Sequence, residues 1–303
     1  MLILFFLFAF YSLAEQQTAE HYFTMGSAKY KAGKYAEALI DFNKAIKIDP
    51  GYALAYNNRG LIKCYLGKYK DALKDCEKAI ELDPKMAEAY SNRGFAKNGI
   101  GDFAGSIKDS NKALKLNPKM AETYNNRGLA KNNMGDYRGA INDYDKTLSL
   151  NPVYATAYSN RGLAKINLGD YKGAIKDCND AIEINPDLAE AYNNRGFVKY
   201  NLKDYKGAIK DFNKTLSLNP EYAYAYNNRA LVEYDLGDNA SALKDFDKAI
   251  EFSPGLAVAY SSRAYLKELE EDHKGAIKDY EKAGELGIRE AYEKIKKIKK
   301  KIK

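Results

Sequence analysis

Tryptophan is absent from this 303-residue chain, and there are only two histidines, His21 and His273, and three cysteines. So little histidine, with no Ser/His/Asp or Cys/His grouping, argues against an enzyme, and no metal or other cofactor is expected. Cys64, Cys76 and Cys178 form no CxxC spacing and no even set, which excludes a disulfide framework and a zinc site. "GIGDFAG" at 99–105 lacks the GxGxxG spacing of a phosphate-cradling loop. Net charge is also scarce where it would matter. The chain carries +7, but its last thirteen residues, "AYEKIKKIKKKIK", hold seven Lys and one Glu, so the remainder is close to neutral. A near-neutral body argues against an electrostatic footprint for nucleic acid.

Proline is equally sparse, and its placement is informative. All seven, Pro50, Pro84, Pro118, Pro152, Pro186, Pro220 and Pro254, recur every 34 residues. The intervals share one order of parts, an Ala-Tyr start, an Arg-Gly pair, a Gly-Asp-Tyr turn and an Asn-Pro or Asp-Pro stop, with single-residue replacements in some of them. Length therefore counts repeats here, and eight units are expected: 19-52, 53-86, 87-120, 121-154, 155-188, 189-222, 223-256 and 257-290. In the unit starting at Ala121, helical patterning runs from about Ala121 to Met134. Gly135 then supplies a left-handed closing residue and Asp136 the next N-cap. A second helix, about Tyr137 to Leu150, stops before Asn151-Pro152, because proline disfavours helical geometry in the preceding residue.

Glycine in mid-helix, at Gly26, Gly60, Gly94, Gly128, Gly162 and Gly196, costs about 1 kcal/mol relative to alanine and needs a packing reason. The recurring small residue of the second helix, Ala38, Ala72, Ala140, Ala174 or Ala208, is expected to face it. Cys76 and Cys178 share a slot with Phe42, Phe212 and Phe246, which reads as packing.

Tyr124, Gly128, Ala140, Tyr144 and Pro152 together make this pattern resemble the tetratricopeptide repeat family over residues 19–290. The resemblance implies an all-α, right-handed superhelical solenoid of helix-turn-helix units whose first helices line a concave groove. It also implies a non-enzymatic scaffold that binds a protein or an extended peptide segment. The chain departs from the family where an apolar residue gives way to Arg59, Arg93, Arg127, Arg161, Arg195, Arg229 and Arg263. Sixteen residues after each stands an acid, from Asp75, Asp109, Asp143, Asp177 and Asp211 to Asp245 and Asp279. The first unit has Met25 in the arginine slot yet keeps Asp41. Pairing forward, Asp41 to Arg59, Asp75 to Arg93, Asp109 to Arg127 and onward, leaves no orphan and predicts an inter-unit ladder. Lys63, Lys97, Lys131, Lys165, Lys199 and Lys267 either share the acid or extend to water.

Before six of these arginines stands an amide, Asn58, Asn92, Asn126, Asn160, Asn194 and Asn228. This row resembles the asparagine ladder of the O-linked N-acetylglucosamine transferases, which implies main-chain contact with a peptide; hydrogen bonding inside the solenoid is the alternative. Asn98, Asn132, Asn133, Asn167 and Asn201, with Tyr65, Tyr200 and Tyr234, complete the expected lining. Leu54, Glu88, Glu122, Thr156 and Glu190 occupy the slot where related repeats carry carboxylate-clamp lysines, which argues against binding of chaperone tails. The sequons Asn213-Lys-Thr215 and Asn239-Ala-Ser241 fall in helices and are discounted.

The apolar run 2–14, "LILFFLFAFYSLA", ends in a small-x-small pattern and reads as a signal-like segment lacking a basic lead, with residues 15–18 as a lead-in. Export to a periplasmic or envelope location is expected; an uncleaved anchor or a misassigned start would account for the same run. The tail 291–303 sets Ile288, Tyr292, Ile295, Ile298 and Ile302 on one side, as a capping helix would. Its lysines leave contact with an anionic membrane open, and with it the alternative of an envelope-tethered assembly solenoid.

Overall fold

A computed structural model describes residues 18–302; the apolar run at 2–14 lies outside them. Seventeen helices and no strand occur among the described residues. First helices are α1 (Ala19–Lys31), α3 (Ala53–Tyr65), α5 (Ala87–Gly99), α7 (Ala121–Asn133), α9 (Ala155–Asn167), α11 (Ala189–Asn201), α13 (Ala223–Asp235) and α15 (Ala257–Leu269). Second helices are α2 (Tyr35–Ile48), α4 (Tyr69–Leu82), α6 (Phe103–Leu116), α8 (Tyr137–Leu150), α10 (Tyr171–Ile184), α12 (Tyr205–Leu218), α14 (Asn239–Phe252) and α16 (His273–Glu285), and α17 (Glu290–Lys301) follows. The helices form two compact bodies that divide between Pro152 and Val153.

The turn inside each unit is built as its residues dictate. After α7, the Gly135 amide bonds the Asn132 carbonyl at 3.0 Å and the Asp136 amide bonds the Lys131 carbonyl at 2.9 Å. That pair of bonds closes the helix C-terminus and requires a left-handed residue, which Gly135 provides at φ 83°. The Asp136 carboxylate then accepts from the Gly139 amide at 2.9 Å, capping α8. Two units lack the glycine and hold Lys203 (φ 62°) and Glu271 (φ 65°) in the same conformation. At the other end, Asn151 is extended (φ −139°, ψ 91°), as a residue before proline should be, and the helix stops there.

Within a unit the helices approach closely at the mid-helix glycines, but the packing partner differs from the expected alanine. A Cβ on Gly128 would lie 2.7 Å from the ring of Tyr144, and one on Gly26 3.0 Å from Phe42. The alanine contributes its backbone instead: the Ala72 carbonyl lies 3.4 Å from the Gly60 Cβ position, beyond Cys76 Sγ at 3.0 Å. The glycine thus makes room for the large residue sixteen positions on, while Ala72 and Ala140 are themselves fully buried. Cys64, Cys76 and Cys178 are buried and free. Burial pushes the Cys64 and Cys178 thiols up to about 12, so they behave as small apolar groups.

α17 closes the second body. Ala291, Ile295 and Ile298 bury against Ala264, Ala276, Tyr280 and Ala283, with Ile288 packed beside them. Tyr292 and Ile302, expected on that side, are exposed, and so are Lys296, Lys297, Lys299 and Lys300. No described helix is long and apolar enough to cross a membrane.

Candidate partner-binding faces

The arginine slot joins helices in a way that corrects the expected ladder. Asp109 does not reach forward to Arg127. It accepts from Arg93 of its own unit, Nε to Oδ2 at 2.8 Å and Nη2 to Oδ1 at 2.6 Å. The same two-pronged bond recurs from Arg59 to Asp75, Arg127 to Asp143, Arg161 to Asp177, Arg195 to Asp211, Arg229 to Asp245 and Arg263 to Asp279. Planar guanidinium and carboxylate match geometrically, which is why a fork on one helix finds an acid on its mate. Asp41 is no orphan either. Lys29 lies 2.6 Å from it, in the slot one repeat ahead of Lys63. Lys63, Lys97, Lys131, Lys165, Lys199 and Lys267 complete the other triads at 2.7 to 2.9 Å, so the lysines share the acid.

Contact between units does run through the arginine, by its third nitrogen. Arg59 Nη1 donates to Asn43 Oδ1 at 2.7 Å, Arg127 Nη1 to Asn111 at 2.6 Å and Arg195 Nη1 to Asn179 at 2.7 Å, in each case the preceding unit's second helix. Arg229 and Arg263 reach Asn213 and Asp247 likewise. Each guanidinium also lies over a tyrosine three residues back, as Arg59 does over Tyr56 at 5.3 Å. Each arginine slot therefore joins an acid and a ring, and at Arg59, Arg127, Arg195 and Arg229 an amide of the preceding unit as well. One unit breaks the pattern. Glu233 stands in the lysine slot beside Asp245, and burial, followed by that carboxylate, holds its pKa at about 7 against the opposing pull of Arg229.

The amide row is largely engaged inside the fold. Asn92, Asn126, Asn194 and Asn228 are buried; Asn58 and Asn160 are half-buried. Asn92 Nδ2 donates to Asn57 Oδ1 of the preceding first helix at 2.9 Å, and Asn228 donates to Asn193 at 3.2 Å. Asn194 reaches Ser159 Oγ at 3.2 Å. These acceptors, Asn57, Ser159 and Asn193, share one slot that sequence reasoning passed over, although its Asn/Ser alternation was visible. Half-buried Asn98 donates to the Asn126 carbonyl at 2.8 Å, again between units, and Asn132 is half-buried on the next first helix.

More open chemistry lies on the aromatic slots. In the first body, Tyr30 and Tyr65 stack at 6.3 Å and 17°, and Tyr65 meets Phe95 edge-on at 6.0 Å. These rings come from three successive first helices, with Tyr35 stacked on Tyr65 at 5.8 Å. Tyr65 is 42% exposed, and its hydroxyl lies 3.5 Å from Glu122 Oε1. In the second body, Tyr234 and Tyr265 of adjacent first helices meet edge-on at 6.0 Å. Asn133, Asn167 and Asn201 are exposed.

Helix pairs joined by recurring side-chain joints, with half-open faces along their first helices, define a repeat scaffold for protein–protein interaction. The tetratricopeptide repeat pattern matches residues 53–86, 87–120, 121–154, 155–188, 189–222 and 223–256, and a TPR repeat pattern matches 26–63; the chain belongs to the tetratricopeptide repeat family. Its architecture is similar to that of the APC/C hetero-tetramer Cut9-Hcn1, with a TM-score of 0.76 at 16% identity. That match covers 90% of this chain and 54% of the other, so this chain spans about half the length of that relative. A tetratricopeptide repeat protein from Parabacteroides merdae ATCC 43184 is 24% identical, with a TM-score of 0.63 over 80% of this chain and 98% of that one. YrrB, described as a TPR protein with an unusual peptide-binding site, is 23% identical, with a TM-score of 0.45 over 62% of this chain and 97% of that one. A search among curated proteins gives no match.

Proposed function

We propose that this scaffold binds an extended segment of a partner protein on the face shared by the first helices within each body. The observation that carries this reading is the half-open row Tyr30, Tyr65 and Phe95, drawn from three consecutive first helices and bordered by Glu122. Stacked rings that stay part-exposed leave apolar ring area available to a ligand, the kind of surface favoured at interfaces. Amides add main-chain recognition: Asn133 and Asn201 spend Nδ2 on the Leu129 and Phe197 carbonyls, leaving amide oxygens to accept from a peptide N–H. The row Asn58, Asn92, Asn126, Asn160, Asn194 and Asn228 contributes mainly by fixing the spacing of the first helices.

The test is a random-peptide array probed with the full chain and with a Tyr30→Ala/Tyr65→Ala variant. Retained peptides should lose at least tenfold in affinity in the variant while helicity is unchanged. Undiminished binding would remove the aromatic row from the site.

A further inference from the structure

The second body holds a cavity of about 340 Å³ where α17 closes against the face formed by α11, α13 and α15. That volume lies at the lower end of the roughly 300–1,000 Å³ of ligand sites and suits a single side chain. Its walls combine rings and acids: Tyr200, Tyr234 and Tyr265 with Asp235 and Glu290, and one cation, Lys294. Tyr265 is 41% exposed, meets Tyr234 at 6.0 Å and 75°, and turns one ring face toward Lys294. A cation already lies on that face: Lys294 Nζ is 5.5 Å from the Tyr265 centroid. The chain's own ammonium group thus acts as an internal stand-in for a ligand cation.

Charge narrows the choice of occupant. Two carboxylates against one ammonium leave the lining net negative, which repels an anion. An apolar side chain would strip water from Asp235 and Glu290 without offering them a partner. A cationic side chain answers both the ring faces and the acids.

We infer that this cavity receives a lysine or arginine side chain of a bound extended peptide, which takes the place of Lys294 over Tyr265 and is held between Asp235 and Glu290. The inference rests on the extended-peptide reading above, and the test separates the two. The full chain, labelled on tyrosine rings, is titrated by NMR with N-acetyl-arginine methylamide and with the citrulline analogue, which keeps the shape and removes the charge. The arginine probe should shift the Tyr234 and Tyr265 signals saturably and bind at least about fivefold more tightly than the citrulline probe. Asp235→Asn, at an exposed position, should weaken the arginine probe by a similar factor, and Lys294→Gln should tighten it. Equal binding of the two probes, or no saturable shift, overturns the inference. A second titration uses twelve-residue Ser/Asn peptides bearing either one arginine or one citrulline. Peptides that bind equally whichever residue they carry preserve the peptide reading and overturn the cavity assignment. If the arginine probe binds and neither peptide does, the cation site stands and the peptide reading falls.

Discussion

Asp109 is the place to test how the units are held. Its carboxylate is 4% exposed and takes both prongs of Arg93 at 2.8 and 2.6 Å, with Lys97 at 2.8 Å. Asp109→Ala leaves two cations, each about one-fifth exposed, without their acid. Removing one partner of a buried pair costs about 3–5 kcal/mol. Partial access of both cations to water lowers that here to about 2–3 kcal/mol. The direction of pairing is read by two double-mutant cycles in urea unfolding of the full chain. Asp109→Ala combined with Arg93→Ala should give a coupling of about 1.5–3 kcal/mol, the range of charged hydrogen bonds. Asp109→Ala combined with Arg127→Ala should be additive to within about 0.5 kcal/mol, since Arg127 is held by Asp143 and Asn111. A larger coupling to Arg127 than to Arg93 would refute pairing within the unit.

Three further outcomes follow from single positions. Gly128→Ala drives a methyl group to 2.7 Å from the buried Tyr144 ring, whereas at Gly162 the nearest atoms are Cys178 Sγ at 3.2 Å and the Ala174 carbonyl oxygen at 3.4 Å; chemical denaturation should find the first less stable than the second by at least about 1 kcal/mol. Lys203→Gly relieves a left-handed residue at φ 62° and should raise stability by about 0.5–1 kcal/mol, read as a higher melting temperature. Glu233 has a folded pKa of about 7, above the ordinary carboxyl value, so the folded state keeps its proton longer than the unfolded state. Its contribution is full below the unfolded pKa and is lost as pH rises through about 7. Glu233→Gln should therefore be more stable than the parent at pH 8, by an amount on the order of 1–3 kcal/mol, and nearly equal to it at pH 5.

The repeat, its helix pairs and its turns were legible because each depends on local chemistry. Proline stops a helix wherever it stands, glycine closes one where φ must be positive, and an aspartate after it caps the next. The composition of the arginine joint was equally legible; its direction was not. Asp109 lies sixteen residues after Arg93 and eighteen before Arg127, and sequence spacing cannot choose between two neighbours brought together by stacking. The orphan that favoured forward pairing vanished once Lys29 was seen as the repeat's own lysine slot, one period before Lys63. At the glycines the pattern showed one neighbour of two: the Ala72 and Ala174 carbonyls face Gly60 and Gly162, but the residue sixteen positions on, Tyr144 for Gly128, is the side chain that needs the space. For the asparagine row the pattern could not say whether an amide faces a ligand or the next helix. The acceptor slot at Asn57, Ser159 and Asn193 takes an amide hydrogen from Asn92, Asn194 and Asn228, an engagement between stacked helices that the pattern of the row alone did not display.

The most direct test of the binding account compares two variants of the full chain against the same extended peptides, with helicity checked by circular dichroism. One replaces Tyr30 and Tyr65 with Ala, and the other replaces Asn126, Asn160 and Asn194 with Ala. The account predicts that the tyrosine variant, folded at low temperature, loses binding, while the asparagine variant melts earlier than the parent and, once folded at low temperature, still binds. Loss of binding confined to the asparagine variant, with its stability intact, would contradict it.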